Sequence, residues 1–121
     1  MITEIRHILF QDEDLLRATV EYRKKRNQPL PAGSIVEFKI ERDHPMSCTV
    51  KIYSEKDGDT IDVLFDQEEM RSALVAYCMY KRIPMPAGVK KDLQMFGDRV
   101  GLFFALNTSR EEMDVLRRVA G

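Results

Sequence analysis

The chain has 121 residues, of which 44% are apolar and 32% are charged, and its formal net charge is −1. This composition is typical of a globular protein of one-domain size and excludes a wholly disordered chain. The near balance of 19 basic and 20 acidic residues argues against a dedicated polyanion binder, which usually has a basic excess. We therefore expect a single domain over residues 1–121.

Cysteine content and apolar runs bear on the location of the protein. The two cysteines are too few for a disulfide framework in a chain of this size, so both are predicted to be reduced thiols. The apolar run over residues 101–106 is far shorter than a membrane span, and the first ten residues mix charged and apolar side chains. We expect a cytoplasmic protein without a membrane partner.

Two stretches of the chain, residues 8–33 and 63–88, resemble each other at an offset of 55 residues without a gap. Ten of the 26 aligned positions are identical, namely Leu9/Leu64, Phe10/Phe65, Glu13/Glu68, Ala18/Ala73, Val20/Val75, Tyr22/Tyr77, Pro29/Pro84, Pro31/Pro86, Ala32/Ala87 and Gly33/Gly88. A long self-match of this kind indicates an internal duplication. The predicted repeats cover residues 4–55 and 59–106.

Each repeat is predicted to begin with a strand, over residues 4–10 or 60–65, because apolar residues alternate there with others. A helix follows over residues 12–27 or 67–82. In the second helix Asp66 and Glu69 have the spacing of a capping box, in which each side chain accepts a hydrogen bond from a free backbone N–H.

Both helices must end before a proline, Pro29 or Pro84, which lacks an N–H and disfavours helical geometry in the residue before it. The shared Pro-x-Pro-Ala-Gly connectors then end in Gly33 and Gly88, which we expect to have similar backbone angles with positive φ.

A hairpin is predicted after the first connector, since apolar residues alternate over 36–40 and again over 48–52. Residues 89–96 of the second repeat fit either a helix or a strand, and a strand is favoured by analogy, with a turn at Gly97 and Asp98. Because residues 101–106 are apolar on both sides, we place them in the centre of a sheet that is covered on both faces.

The chain is predicted to close with a helix over residues 108–120. Ser109 and Glu112 have capping-box spacing, and Met113, Leu116 and Val119 form an apolar stripe. The predicted fold is therefore α+β, with an internally duplicated βαββ–βαββ unit, a C-terminal helix, and helices packed on an antiparallel or mixed sheet.

No pattern in the sequence is typical of catalysis. His7 and His44 lack a Cys, Asp or Glu partner at metal-ligand spacing, and the six glycines are dispersed rather than grouped in a phosphate loop. We predict no cofactor, no metal and no catalytic residue, and the chain is interpreted as a non-enzymatic interaction or regulatory module. An enzyme or ligand binder with a pocket at the junction of the repeats is a further alternative.

The second helix carries the predicted contact surface. At positions where the first helix has charged residues, the second has apolar ones, so it is apolar nearly all round and must be covered on more than one side. The cover is either the C-terminal helix or a second copy of the chain. A homodimer is predicted, with the interface residues Cys78, Met79 and Tyr80.

Nucleic-acid binding is the alternative function. It depends on basic residues near the two connectors, which could contact phosphates: Arg23, Lys24, Lys25, Arg26, Lys81, Arg82, Lys90 and Lys91. The opposing interpretation is structural, because bases in the last turn of a helix complement its dipole and adjacent helical residues point in different directions.

Overall fold

The structure is a computed structural model and describes residues 3–107. Its two helices and six strands follow in the order β1 (Thr3–Phe10), α1 (Asp12–Lys25), β2 (Ser34–Glu41), β3 (Ser47–Ser54), β4 (Asp59–Phe65), α2 (Gln67–Tyr80), β5 (Asp92–Phe96) and β6 (Arg99–Asn107). The predicted α+β class is confirmed. The predicted helix over residues 108–120, with Ser109, Glu112 and its stripe of Met113, Leu116 and Val119, lies outside the described residues.

The strands form two three-stranded antiparallel sheets, in the orders β1-β6-β5 and β2-β3-β4. The strand before each helix pairs with a strand from the other half of the chain: β1 with β6, and β4 with β3. The registers place Ile8 opposite Leu102, and Val63 opposite Val50. The two halves therefore complete each other's sheets.

Residues 89–96 contain strand β5 at Asp92–Phe96, so the favoured alternative is correct, and a two-residue turn at Gly97 and Asp98 joins it to β6. Strand β6 occupies the centre of its sheet, as predicted. The prediction of cover on both faces is wrong within residues 3–107. Leu102 and Phe104 are buried on one face, whereas Ala105 on the other face is exposed.

Helix α2 begins as its sequence indicates, because the Asp66 carboxylate accepts a 2.8 Å hydrogen bond from the backbone N–H of Glu69. The other half of the predicted capping box is absent, since the Glu69 carboxylate binds Arg23 of α1 instead. At the start of α1 the Asp14 carboxylate accepts a 3.1 Å hydrogen bond from the backbone N–H of Gln11. Both first turns are thus stabilised by a carboxylate near the positive end of the helix dipole.

Both helices end two residues earlier than predicted and by the same backbone arrangement. The N–H of Gln28 donates to the carbonyl of Arg23, and the N–H of Ile83 donates to that of Cys78, each over 2.9 Å. The intervening Asn27 and Arg82 both have a φ of 58°. These are Schellman motifs, which satisfy carbonyls left free in the last turn before the prolines follow.

The glycines that close the connectors differ, so the prediction of similar angles is wrong. Gly33 has a φ of 149° and Gly88 a φ of 76°, although both are positive. A Cβ built at Gly33 would overlap the carbonyl oxygen of Tyr53, whereas a Cβ built at Gly88 would meet no other atom of the described residues within 4 Å. Position 33 requires glycine because its backbone lies close to β3, whereas position 88 favours glycine only because of its positive φ.

The core lies between the helices and the inner faces of the two sheets. Its largest fully buried side chains include Phe65, Phe104, Leu15, Ile52 and Met70. Burying each such side chain contributes about 1.5–3 kcal/mol, so this layer holds the helices against both sheets. Neither described helix is long enough to span a membrane, since each has 14 residues and about 20 are needed.

Candidate protein-interaction surface

The predicted interface residues at the end of α2 do not share one environment. Met79 and Tyr80 are each 69% exposed, as a contact surface requires. The prediction that Cys78 lies on that surface is wrong, because its side chain is fully buried in the core. Successive helical residues turn by about 100°, so three neighbours cannot all face outward.

The orientation of α2 is set by the residues it buries. Met70, Ala73, Leu74 and Cys78 recur at helical spacing and face the core. The last turn has no basic residue, in contrast to α1, which ends in three. Apolar side chains therefore reach solvent at the end of α2.

An apolar groove of about 490 Å³ lies between the helices. We call it the interhelix groove. Its apolar lining comes from both helices and from one residue of β2: Leu16, Ala18, Val20, Tyr22, Ile35, Ala73, Ala76, Tyr77 and Tyr80. Its charged lining consists of Arg17, Glu21, Lys25 and Lys81. The volume is within the range of about 300–1,000 Å³ that is usual for ligand pockets.

Lys25 and Lys81 of the groove each lie against a tyrosine of its lining. The ammonium of Lys25 is 4.6 Å from the ring centroid of Tyr80, and that of Lys81 is 5.6 Å from the ring centroid of Tyr77. Cation–π attraction at these distances is worth about 0.5–1 kcal/mol at exposed sites. These contacts place positive charge beside the apolar surface.

Arg23, the first of the predicted anion-binding residues, is occupied by a protein carboxylate. Its Nε lies 2.6 Å and its Nη2 3.1 Å from the two oxygens of Glu69, and its guanidinium lies over the Phe65 ring. The hydrogen bond with Glu69 raises the pKa of Arg23 further, against the opposing effect of burial. The prediction that Arg23 serves an anion site is wrong, because its fork is already satisfied.

The other predicted anion-binding residues are distributed among different neighbours. Arg26 donates to the Tyr22 hydroxyl over 2.8 Å and lines a cleft together with three carboxylate residues. Lys90 pairs with Asp92, and Lys91 donates to two backbone carbonyls. Lys24 and Arg82 are exposed, and Lys25 and Lys81 belong to the interhelix groove. The set does not share one surface feature.

A second apolar surface, which the sequence reasoning missed, is the outer face of the β1-β6-β5 sheet. Ile5, Leu9 and Phe96 are 58%, 38% and 54% exposed there. His7 lies among them, with its ring centroid 4.8 Å from that of Phe96 and 5.1 Å from that of Phe103. The signal was present in β1, where apolar residues occupy both alternating sets rather than one.

The two thiols are buried and protonated at neutral pH. Burial raises the pKa of Cys48 to about 12 and that of Cys78 to about 11. The thiolate is the nucleophilic form, so neither group is activated. Within residues 3–107, no three His, Cys, Asp or Glu side chains converge in a metal-binding arrangement.

Comparison with known proteins does not assign a function to these surfaces. No family model, no curated protein and no solved structure matches the chain. The function is therefore inferred from the chemistry of its own exposed residues.

Proposed function

We propose that the chain is a non-enzymatic protein-interaction module whose contact surface is the end of α2 together with the interhelix groove. The observation that carries this proposal is the 69% exposure of both Met79 and Tyr80 beside an apolar groove. Met and Tyr are enriched at the centres of protein interfaces, whereas scattered single apolar residues have no such meaning. Here the apolar residues adjoin one another.

Self-association is the form of interaction that we expect. Burying each of these two side chains in a partner would contribute about 1.5–3 kcal/mol, and a twofold dimer would bury both pairs. Stable interfaces usually bury about 1,600 Å², so neighbouring residues must take part. Val75, Ala76 and Val89 line a second cleft beside Met79 and can extend the patch.

The dimer is tested by light scattering at micromolar concentration on the wild type and on Met79→Glu. We expect a dimeric wild type and a monomeric variant, because a buried unpaired carboxylate is strongly unfavourable. Lys24→Glu is the matched control, since Lys24 occupies the equivalent position of α1, and it should remain dimeric. A monomeric wild type would remove the homodimer.

We further infer that the chain is one domain built by duplication of a βαββ unit. The ten identities between residues 8–33 and 63–88 support this, as does the order of elements, which repeats strand, helix, strand, strand. Both helices have 14 residues, and the start and end of α2 follow those of α1 by 55 residues. The matching Schellman motifs are a further likeness.

Nucleic-acid binding is kept as the second function. It is favoured by the exposure of Lys24 and Arg82, for which no ion pair is found within residues 3–107. Such binding would be electrostatic and independent of sequence, so its affinity would fall steeply with salt. The measurement is a mobility shift of a short RNA or DNA at low ionic strength. The absence of any shift would exclude this function.

A further inference from the structure

The interhelix groove combines an apolar base with a charged edge. Leu16, Val20, Ala76 and Tyr77 provide partly buried apolar surface from both helices. Tyr80 continues this surface beyond the groove, because its side chain is 69% exposed. A groove of this form suits an amphipathic segment that inserts apolar anchors and leaves its polar side in solvent.

The charges at the edge are unequal in sign. Arg17, Lys25 and Lys81 are exposed cations, and among residues 3–107 Glu21 is the one acidic residue of the lining. Within residues 3–107, none of these three cations forms an ion pair, whereas Arg23, Arg42 and Arg71 each pair with a carboxylate. The edge therefore carries positive charge that the described part of the chain does not neutralise.

We propose that the interhelix groove binds an acidic amphipathic segment of another protein. The inference rests on the proposed function, and it names the chemistry of the partner. Apolar residues one helical turn apart enter the groove, and flanking Asp or Glu residues meet Arg17, Lys25 and Lys81. Complementary charge of this kind raises the association rate and excludes partners of the wrong sign.

A second copy of the chain is a poorer occupant of this groove. An isologous contact through the groove would bring the same cations of two copies toward one another across the twofold axis. The proposed dimer is centred on Met79, which lines a different cleft beside Val75 and Val89 and is not part of the groove lining, whereas Tyr80 adjoins both surfaces. Substitutions of Met79 therefore test the dimer separately from the groove.

The experiment is a selection from a phage-displayed library of random 16-residue peptides on the full-length protein. We expect the enriched peptides to be acidic, with apolar residues at positions i, i+3 or i+4, and i+7. The tightest peptide is then labelled and its affinity measured by fluorescence anisotropy. Its affinity should fall as salt is added, because the charges at the groove edge are exposed.

Two variants locate the binding site. The double substitution Lys25→Glu with Lys81→Glu should weaken peptide binding by about tenfold or more, since it replaces two attractions with two repulsions. Lys24→Glu with Lys56→Glu is the matched control; it makes the same change in net charge outside the groove and should alter affinity less than about threefold. Val20→Glu, at the apolar base, should also abolish binding while circular dichroism shows an intact fold.

Five outcomes would overturn the proposal. Three are the absence of any enriched peptide, enrichment of basic peptides, and equal effects of the two double variants. A fourth, a manyfold gain in affinity with Leu116→Glu, would assign the groove to the chain's own final residues. The fifth, conversion of a dimer to a monomer by Val20→Glu, would assign the groove to a second copy. Light scattering on Met79→Glu is independent of these variants, so failure of the dimer and failure of the groove proposal can be told apart.

Discussion

Helices α1 and α2 have the same length and the same type of C-terminal cap, yet they present different surfaces. Position by position, Arg23 corresponds to Cys78, Lys24 to Met79 and Lys25 to Tyr80. Arg23 of α1 binds the carboxylate of Glu69 in α2, whereas Cys78 of α2 is buried in the core. The last two positions change from exposed lysines to exposed apolar residues.

This difference shows which residues fix the backbone and which fix the surface. Asn27 and Arg82 share a φ of 58° although Asn tolerates this conformation far better than Arg. The cap geometry is therefore imposed by the hydrogen bonds of the last turn and by the prolines beyond it, not by the residue type at that position. Side chains elsewhere on the helices were free to differ, and the proposed contact surface lies where they do.

The largest loss of stability is expected from substitution of a connector glycine. Gly33→Ala should lower the free energy of unfolding by about 3 kcal/mol or more, because the new methyl group would overlap the carbonyl oxygen of Tyr53. Gly88→Ala should cost only about 1 kcal/mol, since there is space for the methyl group and only the positive φ opposes it. Urea unfolding of both variants measures the difference. Equal losses would contradict the close approach of Gly33 to β3.

The next effect concerns the ion pair that α1 makes with α2. Arg23 and Glu69 are each about one-quarter exposed, so Arg23→Met should cost about 2–3 kcal/mol, largely by leaving the Glu69 carboxylate half-buried without a partner. Adding Glu69→Gln to that variant should restore part of the loss. Lys24→Met is the neighbouring control and should change stability by less than about 0.5 kcal/mol. Additive losses for the double variant would show that the two side chains do not interact in solution.

Local signals in the sequence predicted the elements of residues 3–107 well. The helices start at carboxylate-rich turns and end before Pro29 and Pro84, and these features act over a few residues. The exchange of strands between the halves could not be predicted. The pairing of β1 with β6 joins residues about 100 positions apart, and alternation identifies a strand without naming its partner.

The candidate site was predicted in part for a similar reason. Exposure of Met79 and Tyr80 followed from their contrast with the lysines of α1. Burial of Cys78 depends on which side of α2 meets the sheets, and a helix that is apolar nearly all round does not reveal this. The pairing of Arg23 with Glu69 spans 46 residues, and the groove exists only where two helices meet, so neither leaves a pattern in one stretch of sequence.

The smallest expected effect per residue is a loss of stability at high pH, which comes from the buried thiols. Cys78 carries such a thiol, whereas its counterpart in α1 is Arg23. The pKa of Cys78 rises from 9.0 to about 11 and that of Cys48 from 9.0 to about 12 on folding, because burial disfavours the thiolate. Below pH 9 the unfolded thiols are protonated and the stabilising contribution is complete. As the pH rises, the thiols ionise first in the unfolded chain, so stability is lost between pH 9 and the pKa values of the folded protein. At about pH 10 each thiol lowers the free energy of unfolding by about 1 kcal/mol. Urea unfolding of the reduced wild type, Cys78→Ala and Cys48→Ala across this range should show a shallower decline in each variant. Tyrosine and lysine titration affects all three proteins alike, so identical slopes would mean that the thiols are solvated in the folded protein.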